Sequence, residues 1–183
     1  MKGIILSLIS LSILISLVAC SSEPARTFPP PEGYSSWDEY YGNSSGTSNE
    51  NYMSSLISDK LGSCNREGIQ KVSNIKFVNA GYGYNIDIYF AINENWSDDD
   101  IKIGARIDVL DVMEALYTCG KDIQWVDMYG TYSMMDNYGN TKEMEVMHVR
   151  LGKDTARKIN WSNITTDMLF NLLDFKDINP AFK

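Results

Sequence analysis

"YNIDIYFAINENWSDDDIKIGARIDVLDVMEALYTCG", residues 84–120, decides the fold, because its hydrophobic period changes partway along. At first Ile86, Ile88, Phe90 and Ile92 alternate with Asn85, Asp87, Tyr89 and Ala91. That is period two, a strand with one face in a core. "NENWSDDD" then breaks the alternation. Ser97 or Asp98 can cap a helix, and the carboxylates of Asp98, Asp99 and Asp100 suit its positive end. From Ile101 to about Thr118 the period is helical, with Ile103, Ile107, Leu110, Met113 and Tyr117 in one stripe. Val109, Val112 and Leu116 widen that stripe, and Gly120 supplies the stop. Asp108, Asp111 and Glu114 fall on the polar side and read as a solvated face.

Outward from this unit the texture repeats. Upstream, "NYMSSLISDKLG" places Met53, Leu56, Ile57 and Leu61 at helical spacing, and residues 69–79 put Ile75 and Phe77 on one face of a strand. Downstream, residues 122–134 and 142–151 read as two strands joined by "DNYGN", a hairpin loop by its turn residues. Thr165 or Thr166 then caps a last helix through about Asp174, with Met168, Leu169, Leu172 and Leu173 facing in. Two hairpins around a long helix predict an α+β domain: a single antiparallel four-stranded sheet, with the long central helix and the C-terminal helix packed on one face.

The first 50 residues differ in kind. Met1 and Lys2 precede an apolar run from Ile4 to Val18, the pattern of a secretory signal and shorter than the ~20 residues of a membrane span. Leu17-Val18-Ala19-Cys20 resembles the lipobox of bacterial lipoproteins. The resemblance implies cleavage before Cys20 and a diacylglycerol on its sulfur, with palmitate-type acyl chains holding the mature chain to the bilayer. The expected location is therefore a bacterial membrane, lipid-anchored and facing outside the cytoplasm. Ser21, where the resemblance would read Asp as inner-membrane retention, leaves an outer-membrane site open, and the composition equally suits a Gram-positive surface. Residues 20–50 form the lipidated cysteine and a Ser/Gly/Pro/Tyr-rich tether with no structural period, too polar to offset its ordering entropy. Residues 51–183 form the domain. Residues 82–175 are similar to an uncharacterised domain of exported proteins from low-GC bacteria, in the strand leading to "SDDDIKIGAR", in "YGN" at 138–140 and in "INW" at 159–161. That domain brings no activity with it.

Charge and motifs narrow the function. The formal charge is −8, and removal of residues 1–19 takes Lys2 away, leaving −9. Such a chain lacks the basic footprint of a nucleic-acid binder. No GxGxxG or GxxxxGK[ST] occurs, and nothing calls for a cofactor. Of three cysteines, Cys64 and Cys119 remain after Cys20. Outside the cytoplasm they are candidates to pair, worth roughly 3–5 kcal/mol in the chain-entropy model, or they stay separate thiols. His148, the single histidine, lies within a strand and reads as a sheet-face residue rather than a base or ligand. Glu94, Asp98, Asp99 and Asp100 offer oxygen ligands to Ca²⁺ but lack the alternating spacing of a calcium loop, and helix capping accounts for them more simply. Trp161 reads as a packing residue before the last helix. These features favour a non-enzymatic surface lipoprotein whose domain meets an extracytoplasmic protein or envelope polymer. The alternatives are an envelope hydrolase with carboxylates not paired in the sequence, and a small-ligand or Ca²⁺-binding module.

Overall fold

The computed structural model describes residues 48–182 apart from Ala80 and Asn137. Cys20, the leader and the tether as far as residue 47 lie outside the described residues. The domain is α+β, with helices α1 (Ser48–Leu61), α2 (Asp98–Thr118), α3 (Lys153–Ala156) and α4 (Thr166–Leu172). Its strands are β1 (Val72–Asn79), β2 (Tyr84–Ala91), β3 (Ile123–Met135), β4 (Thr141–Gly152) and β5 (Phe175–Ile178). All five form one sheet in sequence order, β1-β2-β3-β4-β5. α1 begins three residues before the boundary expected from composition. No described helix is long and apolar enough to cross a membrane.

The sheet differs from the expected one in two ways. It is mixed: β1 pairs β2, β3 pairs β4 and β4 pairs β5 antiparallel, but β2 and β3 run parallel, Ile88 opposite Met128. The cause is the length of α2. Its 21 residues rise ~1.5 Å each, about 31 Å, while the eight residues of β2 cover about 26 Å. The helix therefore returns the chain to the end where β2 began, a βαβ crossover that joins the two expected antiparallel pairs, β1–β2 and β3–β4, through parallel strands. The second difference is β5, four mostly exposed residues with no apolar alternation to announce them.

The start of α2 follows the expected chemistry. Ser97 is extended and its hydroxyl accepts the Asp100 N–H, with the Asp98–Asp100 carboxylates in the first turn. Gly120 takes φ +77° just beyond the Cys119 cap, a conformation that costs glycine little. The buried stripe is rotated from the expected one. It runs Ile101, Ala105, Val109, Val112, Met113 and Leu116, while Ile103 and Ile107 face solvent. Isoleucine content alone could not place the seam, because apolar residues occur on both sides of this helix. In α4, capped by Thr165, Leu169 and Phe170 are buried, whereas Met168 and Leu172 are exposed.

Two further readings are corrected. Asp108 does not lie on a solvated face: it pairs at 2.7 Å with Lys71, whose side chain is fully buried beside the Phe90 ring. Cys64 and Cys119 do not bond to each other, because Cys119 is a free thiol. The Cys64 backbone pairs with that of Gln70 in an isolated antiparallel β-bridge, within a loop whose Arg66 reaches Asn95, just before α2, whereas Cys119 caps the far end of that helix. About 31 Å of helix lies between those ends, and a disulfide needs Cα atoms within about 7 Å.

The helices share one core with one face of the sheet. Ile86, Ile88, Phe90, Val126, Met128, Val149 and Leu151 join Met53, Ile57, Val109, Val112, Leu116 and Leu169 in a single buried cluster. Trp161 packs against it and stacks with Tyr117 at 6.1 Å. Tyr117 also donates its hydroxyl to the Leu151 carbonyl.

Candidate functional site

The alternate residues of the same strands point away from the helices, and no described helix covers them. By register, Lys76, Asp87, Asp127, Arg150 and Phe175 form one row across this open face. Asn74, Tyr89, Tyr129, His148 and Asp177 form the next.

Asp127 sits at the centre. Although it projects from the uncovered side, it is only 4 % exposed. Its carboxylate accepts Arg150 Nε–H at 2.9 Å on each oxygen and pairs with His148 Nε2 at 2.7 Å. A carboxylate out of water needs such partners. The hydrogen bond to Asp127 also pushes the Arg150 guanidinium above its ordinary range. The His148 ring reaches across to Asp127 from the neighbouring row and lies 4.2 Å from Tyr129, which stacks on Tyr89 at 4.5 Å. Phe175 of β5 closes the series, tilted, 4.7 Å from His148. Four rings thus cross four strands. Burial, and then the nearby Asp127 and Asp87 charges, push the Tyr129 hydroxyl well above the phenol range. It remains a proton donor. Burial first, and Asp127 second, also raise the Asp87 carboxyl, and burial raises that of Glu145.

Beside these rows Trp125 is paired with Asn85 on β2 and with Gly152 on β4. The indole rests over Gly152: a Cβ there would lie 2.6 Å from Trp125 Cζ3. Trp125 remains 42 % exposed, and the Arg150 guanidinium carbon lies 5.6 Å from its ring centroid.

Of the residues singled out in the sequence, Glu94 lies in the loop that leads to α2, ahead of Asp98, Asp99 and Asp100. Those three belong to the first turn of α2. Glu94 lines a cleft of about 40 Å³ at the end of the sheet with Glu67, Glu143, Thr131 and Tyr132. Burial, and then hydrogen bonding to Glu94, push the Tyr132 hydroxyl up. Thr131 donates to Glu143 at 2.9 Å. Among the described residues no three His, Cys, Asp or Glu side chains gather as metal ligands. His148 is the sheet-face residue expected, but its partners Asp127 and Arg150 were missed. Their signal was available as period two in "WVDMY" and "HVR", on the face opposite the core.

No family model matches the chain, and neither a curated protein nor a solved structure matches it.

Proposed function

We propose that this chain is a lipid-anchored bacterial surface protein, held outside the cytoplasm by acylated Cys20, whose domain binds an extracytoplasmic partner through its open sheet face. The anchor rests on the lipobox-like Leu17–Cys20 stretch and the tether after it. The binding role rests on one observation: a sheet face without helical cover holds a buried, fully partnered carboxylate and a row of stacked rings. Such a fixed array gives a partner a pre-organised surface, so little side-chain freedom is lost on contact. No nucleic-acid role is proposed, because the charge has the wrong sign.

The test is photocrosslinking in intact cells. A crosslinker at Lys76 or Asp177, on the open face, should give adducts with an envelope component. One at Glu114, on α2, should not. Adducts from Glu114 alone would contradict the reading.

The cleft beside Glu94 favours an envelope hydrolase as the second reading, since it places three glutamates around one opening. Its volume suits a water or two rather than a sugar ring. Turnover of wall polymer by the purified protein, abolished by Glu94→Gln, would move this reading to first place.

A further inference from the structure

Resting on the binding role just proposed, we infer that the Trp125–Arg150 patch is a saccharide site that takes an uncharged pyranose ring. A pyranose has a C–H face that prefers an aromatic surface and a rim of hydroxyls that both donate and accept hydrogen bonds. The patch offers both kinds of surface, a part-exposed indole with the Arg150 guanidinium over its ring.

The aromatic part is Trp125. Its indole can rest over β4 because residue 152 is glycine; a Cβ there would meet Cζ3 at 2.6 Å. The backbone at Gly152 is ordinary, φ −99°, so clearance for the indole, not a left-handed conformation, explains the glycine. An indole laid down in this way keeps 42 % of its surface in solvent. A tryptophan serving only the core would be turned inward, as Trp161 is.

The polar part is Arg150 with its neighbours. Both Asp127 oxygens take the Nε–H at 2.9 Å, which fixes the guanidinium plane. The guanidinium lies over the Trp125 ring, on a side chain that is 43 % exposed and so within reach of a ligand's hydroxyls. Asn85, the β2 residue paired with Trp125, holds a buried Oδ1 that has no hydrogen-bond partner among the described residues. Asp87 adds an acceptor one position along β2. Fixed donors and acceptors beside an aromatic surface suit a hydroxyl rim better than an apolar peptide.

Charge selects an uncharged sugar. Asp127 is matched by Arg150, and Lys76 stands opposite Asp87. The patch therefore offers no surplus cation to a phosphate polymer, and a chain of net charge −8 repels one.

Titration calorimetry of the full-length chain with short glucose and N-acetylglucosamine oligomers tests the site. Saturable binding to at least one oligomer is expected. Trp125→Ala should weaken it about tenfold or more, as removal of a central aromatic anchor does. Gly152→Ala keeps the indole but lifts it, and should weaken binding severalfold while the circular dichroism spectrum stays that of the parent. Absence of saturable binding to either oligomer, affinity unchanged in both variants, or saturable binding of a proline-rich peptide in their place would overturn the proposal. Crosslinks from the open face that persist without sugar binding would refute the saccharide site alone. Loss of those crosslinks as well would remove the binding role with it.

Discussion

At Asp87 the open face charges a stability cost that depends on pH. Its carboxyl is raised by burial and by Asp127, so the folded chain holds that proton more tightly than the unfolded chain does. The sign follows from linkage: the penalty is absent below the ordinary carboxylate range, grows as pH rises through the raised value, and is complete above it. Asp87→Asn should therefore raise Tm at about pH 7, with the gain shrinking toward about pH 3. An equal gain at both pH values would contradict this. Lys71 makes the opposite case. It is wholly buried and pairs with Asp108, whose own carboxyl is raised by burial and drawn back by the lysine. Lys71→Ala strands a buried charge and should cost about 3–5 kcal/mol in denaturant unfolding, while Lys71→Met with Asp108→Leu should restore most of the loss. Neither residue announced itself in the sequence. Lysine before a strand and aspartate on a helix are ordinary surface positions, and only the packing of α2 against the sheet brings them together.

The elements were legible where period and capping agreed. β2 and α2 are the clearest: alternation, a serine cap, an acidic first turn and a stopping glycine all point one way. Ser97→Ala should cost about 1 kcal/mol, measured by thermal unfolding, because one helix N–H loses its acceptor. The choice between parallel and antiparallel pairing was not written locally. It depends on whether the helix is long enough to carry the chain back past the strand, and α2 is. The same length keeps Cys64 and Cys119 at opposite ends. Cys119→Ser should therefore change stability by less than about 0.5 kcal/mol, whereas loss of a native bridge would cost roughly 2–5 kcal/mol. β5 was illegible for a different reason. Four residues with one side toward the core and the ring of Phe175 on the open side carry too little pattern to be seen without β4 beside them.

Across the described domain, one-sided helical cover turns period two into a distinction between a core face and an open face. One set of strand residues makes the core, and the other makes a surface with a fixed carboxylate, stacked rings and a tryptophan laid over glycine. The sequence displayed the first set plainly, because apolar residues stand out. The second set resembled ordinary polar alternation, and its order emerged only from the register of four strands. The anchor proposed at Cys20 rests on the sequence of residues 1–20 and would set the open face outside the cytoplasm. Intact-mass measurement of the protein extracted from its native membrane tests that setting most directly. The account predicts a chain beginning at Cys20 and carrying a diacylglyceryl group. A chain with Cys20 unmodified, or with residues 1–19 still attached, would contradict it.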